Sequence, residues 1–566
     1  MALCHEALPV TPVRRVRSSM VSRLPIVAIL ALLLSFSDVE AQHHSGPANQ
    51  KPAMLLPGMG DLHHPISTTN PEAQKFFDQG LTLVYGFNRP EALRSFKRAA
   101  ELDPRAIMPL WGIALAVAPH INMDGDMDVD QKAGYEALQK ALSMIRTAPE
   151  HERAYVEALA KRFSNDPKAD PQKLARDYAS AMAELMKRYP DDLDAATLYG
   201  EGLMVLSRWK WWTPDGKPAE GTAEALSALE SVMRRNPLHP GANHYFLHAV
   251  EMSPSPERAL PSAARLMGVV PGIGHLVHMP GHIFMQLGDY ELSATTNERA
   301  VEADKKYIEL TGVEPNVYTL GYYSHNIHFV AMGHAAQGRF DDAKRAADDL
   351  AANTAPAVKL MPMMADYFMP VQLYVLIRFQ RWDEVLSTPP PDQRLVFLTA
   401  FRHYARATAL AAKGNKEDAR NEQRLFEEAR KKVPGDAMLQ FNTAVDVLKV
   451  AAAALEARVA ANEKAAIPHW KRAVEAQDSL AYDEPPSWYY PVRESLGGAL
   501  LRSGQPAEAE VVFREDLKRN PRNGRSLFGL MESLKAQNKT TQAEWVRREF
   551  ETAWKRAQVQ LRIEDL

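Results

Sequence analysis

Eighteen histidines occur in the 566 residues, and nine of them fall between His239 and His334. The segments read HPGANHYFLHAVE, GHLVHMPGHIF and GYYSHNIHF. Neutral imidazole is a common ligand for zinc, copper, iron and nickel. Residues three or four apart lie on one face of a helix. His244 with His248, His275 with His278 and His282, and His325 with His328 therefore each form a stripe. His244 and His278 are 34 residues apart, as are His248 and His282, so the stripes recur in register. A histidine pair at i and i+4 can share one ion. Seven imidazoles exceed one tetrahedral site, so two ions are expected. The expected cofactor is a divalent transition metal, with copper, zinc and iron left open. Glu251 is expected as a ligand or as the partner that orients His248. Asn243, Asn326, Tyr322 and Tyr323 are candidates for the same outer role. Met285 and Met332 are soft ligands that would favour copper, although methionine more often simply packs.

Other chemistry finds little support. The only cysteine is Cys4, so disulfides, thiolate nucleophiles and cysteine-ligated zinc or copper have no basis in the remaining chain. HExxH, a serine or cysteine triad, G-x-G-x-x-G and a phosphate loop are all absent. The formal net charge is −3, and no basic footprint suits nucleic acid. A histidine-rich dinuclear site supports oxidative or hydrolytic chemistry, but nothing names a substrate, and whether the chain is an enzyme stays open. His239 precedes a helix and His334 falls at a packing position. His120, His151, His403 and His469 stand alone and read as structural.

The elements that must position the histidines are helices. Alanine is abundant and β-branched runs are few, which favours helix. Gly80, Ala92, Phe96, Ala99 and Pro104 form a pattern that returns as Gly497, Ala509, Phe513 and Pro521. Looser copies run through Ala225, Leu229 and Pro237, and through Ala259, Leu266 and Pro271. Gly288-Asp289-Tyr290, Gly338-Arg339-Phe340 and Gly414-Asn415 mark further turns between paired helices. Small residues let two helices approach, large apolar residues fill the space between units, and proline stops the second helix. One unit cannot bury its apolar face alone, so neighbours stack. These marks resemble the tetratricopeptide-repeat (TPR) family, in a bacterial-type exported member. The resemblance implies an all-α solenoid, a right-handed superhelix of antiparallel helix pairs, over residues 69–566, with the histidine-rich repeats at 240–340. It also implies that positions 2, 5, 9 and 12 of each first helix line a concave groove. His275 and His325 fall at position 2. His244, His278 and His328 fall at position 5, His248 and His282 at position 9, and Glu251 and Met285 at position 12.

Residues 120–220 follow the pattern poorly. Arg208 to Gly216 reads as an insertion whose tryptophans pack on the solenoid. Arg14, Arg15, Arg17 and Arg23 precede the apolar stretch Leu24 to Phe36, and Val39-Glu40-Ala41 follows. Residues 1–41 are therefore expected to be a signal peptide, with Met20 an alternative start. Export to the periplasm or cell envelope follows, with no transmembrane segment in the mature chain. Residues 42–68, with His43, His44, His63 and His64, read as a flexible linker. A charged last helix, roughly residues 541–562, would cap the array. A second reading is a groove that binds a protein or peptide without metal. A third is a structural scaffold of the envelope.

Overall fold

Glycine and phenylalanine set how closely the helices of each repeat approach. The computed structural model describes residues 51–122, 129–213 and 215–566; the expected signal peptide lies outside the described residues. Helices Pro71–Tyr85 and Arg89–Leu102 form the first antiparallel pair. A Cβ on Gly80 would stand 2.6 Å from the Phe96 ring, and one on Gly112 would overlap the same ring from the next helix, Met108–Ala116. Phe96 is thus clasped between two repeats and completely buried, a burial worth about 1.5–3 kcal/mol. Gly497 and Gly529 clasp Phe513 in the same way.

Side-chain caps define where the helices begin. Asn70 accepts from the Glu72 and Ala73 N–H groups, and Pro71 occupies the first helical position, where its missing N–H costs nothing. At the turn expected from Gly288-Asp289-Tyr290, Gly288 takes φ 72° and Asp289 caps helix Tyr290–Thr311 through Leu292 N–H. Further pairs follow, among them Leu193–Leu206 with Thr222–Arg235, Tyr323–Ala336 with Phe340–Thr354, and Val492–Arg502 with Pro506–Arg519. The regular secondary structure of the described chain is almost entirely helical, in a TPR-like solenoid of antiparallel helix pairs. Among the described residues the only strand pair is Met438–Leu439 with Asn442–Thr443. Among the described residues no helix is long and apolar enough to cross a membrane.

Residues 131–188, where the pattern is weak, form helices Gln131–Met144, Glu150–Ala160 and Pro171–Arg188. Two expectations meet differences here. The last helix is Thr540–Ala553; the chain then turns back, and Gln558 N–H donates to Gly338 O at 2.9 Å. Residues 51–68, expected within the flexible linker, lie along the solenoid as a strap. Gln79 donates to Met54 O and accepts from Leu56 N–H, Gly272 N–H donates to Gly58 O, and buried His64 bonds Asp194 at 2.8 Å. The tryptophan insertion does pack as expected. Trp211 is fully buried, and the Trp212 indole donates to Ala249 O at 2.7 Å.

The superhelix closes on itself. Tyr307 of the middle repeats donates to Glu91 of the first pair at 3.2 Å. Tyr290 donates to Pro521 O at 3.1 Å. Trp209 stacks near Phe441, their rings 4.4 Å apart. The concave side at the histidines is therefore an interior.

Candidate metal centre

Three successive first helices carry the histidines. Pro240–Glu251 presents His244 and His248. The next is broken at Pro280, which has no N–H to continue the ladder: Gly274–His278 carries His275 and His278, and Pro280–Gln286 carries His282. A π-helical turn, Tyr318–Tyr322, leads into Tyr323–Ala336, which carries His325; such turns often accompany functional sites. Glycines bring the supporting helix Tyr290–Thr311 up behind them. A Cβ on Gly274 would overlap the Asp304 carboxylate, and one on Gly281 would overlap the Asn297 amide.

The rings divide into two sets of three. His244, His248 and His275 form one, and His278, His282 and His325 the other, each with its ligand atoms within 4.8 Å of one another. One repeat step relates them: each set takes positions 5 and 9 of one repeat and position 2 of the next. His244 Nε2 lies 3.1 Å from His275 Nε2, and His278 Nε2 lies 2.7 Å from His282 Nε2. The sets adjoin, with the His275 and His278 rings 5.5 Å apart. His328 joins neither set. It sits at position 5 of a third repeat, buried with its ring 5.8 Å from Tyr367 and 6.0 Å from Phe368.

The far side of most of these rings is already held. His244 Nδ1 donates to Tyr85 O at 2.5 Å, and His248 Nδ1 donates to Glu251 Oε1 at 2.7 Å. His278 Nδ1 donates to Asn297 Oδ1 at 2.6 Å. The Asn297 amide is oriented for this because its Nδ2 donates to Ser293 O. His282 Nδ1 lies 2.7 Å from Glu251 Oε2 and 3.2 Å from Glu484 Oε2. The tautomers of His244, His248 and His278 are therefore fixed with Nε2 as a bare lone pair. Glu251 is the bridge between the sets, one oxygen to each, and with His282 and Glu484 it also forms a group with ligand spacing.

Burial and charge reinforce this state. Burial and neighbouring histidines hold His244, His275, His278 and His325 well below the ordinary imidazole range, so they are neutral at pH 7. Burial lowers His248 despite Glu251, and burial alone lowers His328 to about 3. His282 differs. Burial pushes it down, but Glu251 and Glu484 overcome this and raise it to about 10.

Phenylalanines back both sets. Phe87, at φ 56°, lies 4.5 Å from the His244 ring and 5.1 Å from that of His275. Phe329 lies 4.8 Å from both His278 and His282. Tyr482 donates to Glu484 at 2.7 Å. Tyr85, Phe87, Tyr482 and Glu484 have no periodic relation to the histidines, so spacing could not flag them. Of the outer candidates, Tyr322 stands edge-on to His275. Asn326 donates to Asp304, Asn243 donates to Pro237 O and His239 O, and Tyr323 packs in the core. None of these last three makes a side-chain hydrogen bond to a histidine ring of the sets. Met285 and Met332 line a separate cavity beside Tyr482.

His64, Asp192 and Asp194 form a further group with ligand spacing. Its carboxylates are already engaged: Asp194 holds His64, His239 and Tyr85, and Asp192 holds His151 and Tyr155. It reads as the anchor of the strap.

Among known proteins, no family model matches the chain. No curated protein matches it either. Solved structures do align. Yeast Tom70 is 12% identical over 85% of this chain and 90% of its own, with a TM-score of 0.29. Human IFIT1, as a dimer with m7Gppp-AAAA, is 12% identical over 87% and 92%, also at 0.29. The APC/C hetero-tetramer Cut9-Hcn1 is 12% identical over 89% and 82%, at 0.31.

Proposed function

We propose that this chain is an exported solenoid that binds two transition-metal ions, one in each three-histidine set. The observation that carries this reading is the facing of Nε2 atoms at 3.1 and 2.7 Å between rings whose Nδ1 atoms are largely engaged elsewhere. Each such pair holds a proton or a cation between its nitrogens. Metal–nitrogen bonds of about 2.0–2.1 Å bring neighbouring ligand atoms to about this separation. Burial holds His244, His248, His275, His278 and His325 toward the neutral form such an ion needs, and His282 must give up a proton to bind it. Three nitrogens per set suit copper, zinc or iron. The periplasm or cell envelope is the compartment proposed, on the strength of residues 1–41.

The test is metal content. The secreted chain, grown with copper, zinc and iron supplied, should carry about two ions. His248→Ala and His282→Ala should each lose about one of them. A native protein that carries none ends this reading. N-terminal sequencing of the recovered chain should begin at Gln42.

A second reading, a surface for a partner protein or peptide, is favoured by exposed Leu360 and Met363, at 60% and 54% exposure. Partner capture that survives loss of both ions would support it.

A further inference from the structure

A cavity of about 600 Å³ opens directly onto the histidines. His248 and His275 of one set and His282 and His325 of the other form its floor. Met361, Met364, Phe368, Trp209 and Phe441 also line it. Exposed Leu360 and Met363 stand at its rim. Among the described residues that line it there is no lysine, arginine, aspartate or glutamate. The volume falls within the usual range for small-molecule sites, about 300–1,000 Å³.

The walls and floor differ in chemistry. Thioethers and aromatic rings favour the faces and edges of an aromatic ligand, and methionine adapts to its outline. A carboxylate or phosphate would lose its hydration and meet no free cation: the walls carry no lysine or arginine, and the His282 imidazolium is already paired with Glu251 and Glu484. The floor offers His248 as an acceptor, and Trp209 Nε1 and the Tyr367 hydroxyl in the same lining also lack partners. His248 Nδ1 is committed to Glu251, which leaves Nε2 as an acceptor, and that buried atom has no partner. A hydroxyl group would satisfy it.

We infer that this cavity is a chamber for an uncharged phenol-class molecule, its ring between the methionine and aromatic walls and its hydroxyl at the histidine floor. The inference rests on the metal-site reading for the ligand's orientation when ions are present. In metal-free protein the phenol O–H donates to His248 Nε2; with ions bound, the phenol oxygen faces them.

The probes are 4-ethylphenol and 4-ethylbenzoate, titrated calorimetrically into the full chain as isolated and after chelator treatment, with metal content measured on each sample. 4-Ethylphenol should bind about tenfold tighter than 4-ethylbenzoate. Gly321→Leu narrows the chamber. A Cβ there meets only the flexible end of Met364, at 3.1 Å, and binding should weaken about tenfold. Met361→Lys places a cation in the wall and should turn the preference toward 4-ethylbenzoate, which keeps the test decisive if Gly321→Leu fails to fold. Equal binding of both probes, binding untouched by either substitution, or no binding to either form overturns the chamber. Phenol binding by a chain that takes up no metal upholds the chamber and removes the metal reading. Metal uptake with no phenol binding does the reverse.

Discussion

His278 and His282 face each other through their Nε2 atoms at 2.7 Å, on either side of the break at Pro280. His278 presents a lone pair there, because its Nδ1–H is spent on Asn297. His282, raised to about 10 by its two glutamates against the effect of burial, supplies the proton between them at neutral pH. An ion entering this set must displace that proton. Titrating metal into the stripped protein at pH 7.5, in buffers of different ionisation enthalpy, should report about one proton released for this ion. Affinity should weaken about tenfold for each pH unit of acidification, because the proton competes for the same atom. Release that is indistinguishable from zero would contradict the arrangement.

Asn297 holds His278 only because Gly281 leaves room for it. In Gly281→Ala the new methyl overlaps the Asn297 amide. Overpacking of this kind costs about 1–3 kcal/mol, read as a lower urea midpoint. The metal affinity of the second set should fall about 10–100-fold, as for a lost outer partner. Asn297→Ala removes the partner without the clash and should reproduce the affinity loss with less destabilisation. An Asn297→Ala protein with unchanged affinity would show that the hydrogen bond does not matter.

Glu251 carries a buried charge shared by His248 and His282. Glu251→Gln leaves the His282 imidazolium with Glu484 alone. Breaking a buried pair costs about 3–5 kcal/mol, and the remaining glutamate should keep the loss near the lower end. Denaturant unfolding at pH 7 measures it. The His282 ring proton should also titrate at lower pH in the variant, visible by NMR of the imidazole signals.

Asp304 stands behind the site, accepting from Tyr318 at 2.7 Å and from Asn326 at 2.7 Å. Burial outweighs these bonds and raises it to about 7. The folded chain thus holds this proton more tightly than the unfolded chain does. The stability this supplies is fully present below about pH 4 and is lost as pH rises through about 7. Stability measured against Asp304→Asn should therefore fall between pH 4 and pH 7 and stay level above. A flat difference across that range would show an unshifted carboxyl group.

The 34-residue spacing made much of this legible. Equal spacing of His244 with His278 and of His248 with His282 put those pairs in equivalent places, and i, i+4 geometry put each pair on one face. The division into three and three was not legible, because it depends on the rise between repeats, which carries His275 and His325 toward the preceding helix. His328 looked like a member for the same reason that His244 is one: it occupies position 5. Its repeat offers Met332 at position 9, so no set forms around it. Glu484 and Phe87 reach the site only because the superhelix closes, and closure comes from distant packing such as Tyr290 on Pro521 rather than from any local pattern. The strap was hidden by its composition: glycine and proline mark irregular backbone, and irregular backbone can still be pinned by His64.

If the proposed ions bind, the relation between the two sets, one repeat step apart, makes ion number a property of chain length. A closed core has to be redesigned to admit another ion. Here the same three positions, written again in the following repeats, would extend a row of ions along the screw axis. His328 marks the place where the row stops.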